Sequence, residues 1–224
     1  MRIIELEVTE STNDEVKKYW DLDEDVAVVA HRQTCGRGSK GRSFSSLEGG
    51  IYVSFIKHYH GLKAERAYEV TEEISISVVL TLRAFGVMAE IKWPNDIYVG
   101  KKKICGMLTQ NEIKNGYVVK TLCGVGININ NDLPPELEGI ATSLKCELGK
   151  EVDLKSVFFT LFYNLEKFQD VSLYPSFSCV IGKRVSVFEP QKEGYDEIVE
   201  EILCDGRLKL SNGKILSVAE IKLV

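Results

Sequence analysis

Three cations, Arg37, Lys40 and Arg42, fall within six residues in the stretch GRGSKGR, whose glycines Gly36, Gly38 and Gly41 let a backbone come close to a bound molecule. Such a loop suits carboxylate or phosphate oxygens. Residues 36–41 satisfy G-x-G-x-x-G, and 36–43 come close to a phosphate-binding loop, with Arg42 where its lysine should stand. Both patterns need a helix directly after the glycines, whereas here SFSSLEGG leads into the strand-like IYVSF. A kinase-type glycine loop would need H-R-D and D-F-G, which the chain lacks. Two readings stay open: an anion-capturing loop between strands, or a solvated basic hairpin with glycines at its turns.

Other segments bear on that choice. In KWPNDIYVGKKK, Pro94 pushes Trp93 to an extended conformation and places Asn95 and Asp96 at a turn with free side chains. Asp96 is a candidate ligand or metal group, with a plain Asx turn as the alternative. On a regular strand Lys103 shares a face with Cys105, opposite Lys102 and Ile104, and one lysine of 101–103 can reach inward. In GVGININ, alternation puts Val125, Ile127 and Ile129 on one face and Gly124, Gly126, Asn128 and Asn130 on the other. The glycine face is hollow and accommodates a flat ligand, or else marks a bulge or a crossing backbone. His58 and His60 share a strand face and His31 ends a strand, with no third metal ligand suggested. The six cysteines are scattered, without C-x-x-C, and read as reduced thiols.

The elements that must position these groups follow from periodicity. Residues 2–8 and 25–31 read as strands separated by a short helix after Ser11-Thr12-Asn13. A long amphipathic helix is expected from Ala64 to Phe85, with Gly86 stopping it, and a second from Asp153 to Asp170, with Val157, Leu161, Leu165 and Phe168 on one side. Strand-like runs at 49–60, 89–93, 102–113 and 117–130, the last two joined at Asn115-Gly116, predict an α+β fold: a mixed or antiparallel sheet carrying helices. From Val180 short strands with Asp205-Gly206 and Asn212-Gly213 turns predict a small SH3-like barrel, with a β extension of the first sheet as the alternative. The expected domains are 1–179 and 180–224.

A chain of 224 residues with 44% hydrophobic and 27% charged residues can bury a core and is not disordered. No apolar run approaches the roughly 20 residues of a membrane span, and residues 1–6 lack a secretion-signal layout, so a cytoplasmic protein is expected. The net charge of −5 argues against a long nucleic-acid-gripping face.

Taken in order, Ser11-Thr12-Asn13, QTCGRGSKGR (33–42), KWPND (92–96), Lys103-x-x-Gly106 and GVGIN (124–128) resemble a biotin protein ligase across essentially the whole chain. KWPND is the most specific piece. The resemblance implies a class II synthetase-like catalytic domain followed by an SH3-like domain. It implies a reaction in which ATP and biotin form biotinyl-5'-adenylate and pyrophosphate, after which a lysine of a biotin carboxyl carrier protein domain takes the biotinyl group. On it, Lys103, Asp96 and Arg37 are catalytic. Ser11, Thr12, Asn13, Gln33, Gly36, Arg37, Gly38, Ser39, Lys103, Gly106, Gly124 and Gly126 line the biotin pocket; Arg42, Phe44, Asn95, Asp96 and Asn128 meet ATP. No resident metal is implied; Mg²⁺ arrives with the nucleotide near Asp96. A lipoate or octanoate ligase is the neighbouring reading, and a non-enzymatic biotin or adenylate sensor is a third.

The chain departs from the family pattern at Ser39, where a second loop arginine is usual, at Phe44, where tryptophan is commoner, and at Val224, where many relatives carry arginine. Some members carry an N-terminal DNA-binding domain and act as repressors; with Met1 leading directly into the catalytic part, no DNA binding or repression is expected. A homodimer through a sheet edge is left open.

Overall fold

The computed structural model describes residues 1–167 and 170–224. The side chain of Lys40 and the expected helix-face residue Phe168 lie outside what it describes.

The chain begins with strand β1 (Arg2–Thr9), helix α1 (Thr12–Lys17), β2 (Val26–Gln33) and the long β3 (Ile51–Lys63). A 3₁₀ turn at Ala64–Arg66 leads into α2 (Tyr68–Ala84). Then come β4 (Glu90–Lys92), β5 (Asp96–Val99), β6 (Lys102–Lys114), β7 (Tyr117–Ile127), α3 (Leu144–Leu148) and α4 (Leu154–Glu166). The last strands are β8 (Arg184–Phe188), β9 (Tyr195–Ile202), β10 (Leu208–Leu210), β11 (Ile215–Leu216) and β12 (Glu220–Leu223). They form a seven-stranded sheet in the order β1-β2-β3-β7-β6-β5-β4 and a five-stranded sheet in the order β11-β10-β9-β8-β12. β1 and β2 are parallel and the other strand pairs antiparallel, which makes the first sheet mixed and the second antiparallel.

Alternation sorts the first sheet into two faces. One buries Ala27, Val29, Val53, Phe55, Cys123, Val125 and Ile127 in the main core, together with Val70, Ile74, Val78 and Leu82 of α2 and Val157, Leu161 and Leu165 of α4. The residues of α2 repeat every three to four positions, and Gly86 takes the positive φ of 87° that turns the chain out of the helix. The other face carries Val28, Ile56 and Leu122 under Val16 of α1, with Trp20 and Tyr19 at the margin. Further along that second face the apolar residues give way to Ser54, Gly124 and Gly126, and a hollow opens.

Asn115 (φ 51°) and Gly116 (φ 78°) make the tight turn between β6 and β7. Several expected element ends are corrected, and one helix was not foreseen. The long helix starts at Tyr68 after the 3₁₀ turn at Ala64–Arg66, and the second helix ends at Glu166, short of the expected Asp170. The helix α1 starts within the Ser-Thr-Asn cluster, at Thr12, with Ser11 as its N-cap. The strand expected to run to residue 130 ends at Ile127, because Asn128, Asn130 and Asn131 turn their amides onto neighbouring backbone and side chains instead of a ladder. The short helix α3 was not visible at five residues, although its Ser143 cap, accepting from the Cys146 N–H, and its left-handed Gly149 are ordinary signals.

Candidate active site

The hollow is floored by Gly106, Gly124 and Gly126. Gly106 and Gly126 are cross-strand partners, as are Leu108 and Gly124, so the floor is one continuous patch of β6 and β7. Its walls are α1, residues 37–39 and Phe44 of the 36–44 loop, Asp96 at the start of β5 and Lys103 near the start of β6. At Gly126 an added Cβ would lie 2.6 Å from the Phe44 ring, so glycine is what lets that ring lie on the sheet. The same ring meets Tyr52 edge-on, with centroids 6.3 Å apart. With Phe44 in this position the cavity measures about 50 Å³.

At one end of the cavity stand Ser11, Thr12 and Asn13, all buried. A serine at an N-cap ordinarily accepts a hydrogen bond from the first turn, which relieves an orphan helix N–H. Ser11 makes no such bond, and its Oγ is buried without a partner, as is Nδ2 of Asn13. Thr12, by contrast, is spent on the scaffold. Its N–H and Oγ1 donate to Gln33 Oε1 at 2.8 and 3.0 Å, and Oγ1 lies 2.8 Å from Ser54 Oγ. Gln33 in turn donates to Ser46 Oγ at 2.8 Å. The sequence triplet thus divides: its middle member locks α1 to the sheet, and the outer two present free polar atoms to the cavity.

At the other end Lys103 Nζ sits 2.6 Å from Asp96 Oδ1. A regular strand would put Lys103 on the side of Cys105, away from the floor. The β5–β6 ladder instead shifts register, pairing Ile97 with Cys105 but Tyr98 with Lys103. This bulge lets Ile104 and Cys105 both enter the core while Lys103 joins Gly106 on the cavity side. Burial raises the Cys105 thiol and the Tyr98 phenol, the latter helped by Asp96, so neither adds charge here near neutral pH.

The 36–44 loop is a small hairpin closed by Gly38 N–H to Arg42 O (2.7 Å) and Phe44 N–H to Gly36 O (2.8 Å). Gly36 is packed so closely that a Cβ would come 2.4 Å from Phe44 O. Arg37 pairs with Asp14 of α1 at 2.6 Å and Arg42 with Glu220 of β12. Gly36 and Arg42 border an adjoining outer cleft of about 430 Å³, along with Lys17 and Gln110, and are not part of the inner lining. Gly38, Ser39, Arg37 and Phe44 face the inner cavity.

Asn95 and Asn128 reach neither space. Asn95 Nδ2 donates to Met107 O at 2.8 Å, and Asn128 is buried with Nδ2 donating to Thr142 O at 3.1 Å. Asp96 opens a strand and is ion-paired. The expectation of free side chains at 95 and 96 is therefore corrected: the turn is closed by the pairing of Lys92 with Asp96, and both side chains have partners. Ser54, Val53, Met107, Leu108 and Asp14 also border the site or hold it, and sequence reasoning missed them. Ser54 had a signal, as the polar residue within the apolar run IYVSFI.

The model of the Biotin/lipoate A/B protein ligase family matches residues 5–128, more than half the chain. The chain belongs to this family. Within it, the bifunctional ligase/repressor BirA of Bacillus subtilis is 36% identical over 149 residues, covering 64% of this chain and 46% of that protein. The chain thus spans about half the length of that relative. The biotin--[acetyl-CoA-carboxylase] ligase of Mycobacterium tuberculosis is 28% identical over 207 residues, covering 84% and 74%. Among solved structures, a biotin protein ligase from Aquifex aeolicus in complex with biotin and ATP superposes with a TM-score of 0.81 at 27% identity, covering 100% of this chain and 99% of that one. The family match takes in every sequence-expected site residue, from Ser11 to Asn128.

Proposed function

We propose that the chain is a biotin protein ligase, which activates biotin with ATP and transfers the biotinyl group to a lysine of a biotin carboxyl carrier protein domain. The observation that carries this reading is the pair of buried, unpartnered polar atoms, Ser11 Oγ and Asn13 Nδ2, at the end of a glycine-floored cavity. A buried polar atom without a partner costs about 1–3 kcal/mol, a cost that a hydrogen-bonding ligand relieves. The ureido ring of biotin offers a carbonyl acceptor and N–H donors at its far end; a lipoyl ring or an octanoyl tail offers neither. The similarity to a ligase solved with biotin and ATP supports the same choice.

With the ureido ring at Ser11 and Asn13, the valeryl chain runs over Gly124 and, once the Phe44 ring has lifted from the sheet, over Gly126, and the carboxylate faces Lys103. The ammonium of Lys103 and the guanidinium of Arg37 lower the repulsion between that carboxylate and the α-phosphate. A carboxylate oxygen then attacks phosphorus, the bond to the bridging oxygen of pyrophosphate breaks, and pyrophosphate leaves with the electron pair. In the second step a neutral carrier amine attacks the acyl carbon, AMP leaves, and the amine gives its extra proton to solvent. Arg42 and Phe44, at the loop's far end, serve the nucleotide. Asn95 and Asn128 support this site through the scaffold.

Among the described residues no group of three or more His, Cys, Asp or Glu side chains is placed to hold a metal. Asp96 is, among the described residues, the one carboxylate of the inner lining. A single carboxylate fits Mg²⁺ carried in by phosphate oxygens and water, with Asp96 as the protein ligand. Bound there, the ion would neutralise phosphate charge. The five-stranded sheet following residue 179 is proposed as the SH3-like domain of the family, and ATP use agrees with a cytoplasmic location.

ATP–pyrophosphate exchange tests the reading, with biotin, lipoate, octanoate or no acid, and Lys103→Ala alongside. Exchange that requires biotin and falls about a hundredfold or more in Lys103→Ala, to a low but measurable rate, is expected. Exchange with lipoate alone would move the chain to the neighbouring activity, and biotin binding without exchange would leave a sensor.

A further inference from the structure

Lys103 pairs with Tyr98 of β5 on one side, but on the other side its own sheet gives it no strand partner. β7 ends at Ile127, opposite Cys105, and the bulge at 103–104 disturbs the ladder to β5. The gap beside Lys103 is filled by a distant segment, residues 140–142, in a parallel bridge. The Lys103 N–H donates to Ile140 O and the Thr142 N–H donates to Lys103 O, both at 2.9 Å. That segment is fastened by Asn128, whose Nδ2 donates to Thr142 O at 3.1 Å while its own N–H donates to Ile104 O at 2.9 Å. Lys103, Thr142, Asn128 and Ile104 therefore close a ring. Asn128 cannot orient itself. Its Oδ1 accepts from Asn131 Nδ2 at 3.1 Å, and Asn131 Oδ1 accepts from the Ile129 N–H at 2.9 Å, which fixes both amides. Asn128, Asn131 and Thr142 are 6%, 3% and 2% exposed, so water offers no substitute for these bonds.

We infer that Asn131 is a positioning residue for Lys103, setting the placement of the lysine through Asn128 and Thr142. The inference rests on the ligase reading for its catalytic consequence, but the placement of Lys103 can be measured without catalysis. An amide is required because one oxygen must accept from a backbone N–H while the nitrogen donates to Asn128. Alanine at 131 leaves the Ile129 N–H and Asn128 Oδ1 unpaired and frees the Asn128 amide to rotate away from Thr142.

The test uses the full chain as wild type, Asn131→Ala and Asn131→Ser, the serine variant serving if alanine prevents folding. In the first arm acetic anhydride labels lysines in brief pulses, and peptide mass spectrometry reads each rate. Lys103 is expected to label at least threefold faster in the variants as its contact with Asp96 loosens, with Lys102 unchanged. In the second arm biotin-dependent pyrophosphate exchange is expected to lose tenfold or more in kcat, with KM for biotin and ATP within threefold. In a Lys103→Gln background, read with labelled pyrophosphate, Asn131→Ala should add no further loss. An unchanged labelling rate at Lys103, or a loss that multiplies in the Lys103→Gln background, overturns the inference. Absence of exchange in the wild type would instead sink the ligase reading, and the labelling arm would still decide the role of Asn131.

Discussion

Ser11 and Asn13 carry opposite consequences for stability and binding. Each holds a buried polar atom with no protein partner, a cost to the fold that the proposed ligand would offset on binding. Replacing Ser11 or Asn13 with alanine should leave the melting temperature of the unliganded chain unchanged or higher, while the dissociation constant for biotin rises tenfold or more, about 1.4 kcal/mol per tenfold. Calorimetry of both quantities on each variant checks this; a variant that loses stability without losing affinity would make these residues scaffold. Ser39 is the second residue of interest. It stands exposed beside the cavity between two arginines that are both engaged, Arg37 by Asp14 and Arg42 by Glu220. A hydroxyl there offers no bidentate fork to a phosphate. Ser39→Arg should slow escape of biotinyl-adenylate severalfold in a rapid-chase assay, and an unchanged release rate would show that the position has no hold on the intermediate.

At the scale of elements, period-2 alternation in GVGININ was enough to place Val125 and Ile127 in the core and Gly124 and Gly126 on a hollow face. Helix periodicity was enough for α2 and for α4 to Glu166. What alternation could not give was the side of Lys103. A bulge inserts one residue without a mark in composition, and it reverses which neighbours share a face. The polar partners of Asn95 and Asn128 were equally hidden, because Met107 and Thr142 are brought to them only by the folded sheet. The glycine floor gives a direct test of its purpose. Gly126→Ala would drive a Cβ into the Phe44 ring, so the ring must lift from the sheet. A stability loss of about 1–3 kcal/mol is expected in denaturant titration, together with loss of biotin-dependent exchange. Wild-type exchange in this variant would mean that the floor is not where the ligand lies.

Across the whole molecule the two sheets share one core. Val185, Val187, Val199, Leu208, Leu210 and Ile221 of the second sheet belong to the same buried cluster as α2 and Trp93. The turn at Asp205-Gly206, legible in the sequence only as a hairpin signal, is a docking point: Gly206 O accepts from Trp93 Nε1 at 2.8 Å, and Tyr174 Oη donates to Pro94 O at 2.7 Å from the other side. The turn that precedes Asp96 is thus clamped between the small sheet and the segment leading to it. Into this junction α2 sends Glu72, 5% exposed, with Glu69 on its own helix and Asp205 across the junction as negative neighbours. Burial first, and those two charges second, raise its pKa from 4.5 to about 7. The folded chain therefore keeps a proton on Glu72 over a range where the unfolded chain has lost it. Stability should fall as pH rises from about 4.5 to 7, and the full penalty should stand above that range. Glu72→Gln removes the penalty. Its advantage in melting temperature should be small near pH 4.5 and grow to several degrees at pH 8, from a free-energy difference on the order of 2 kcal/mol. Scanning calorimetry of both proteins across that range decides it. A difference that stays constant with pH would mean that Glu72 is already relieved of its charge by another partner, and that the junction tying the small sheet to the Asp96 turn is indifferent to protons.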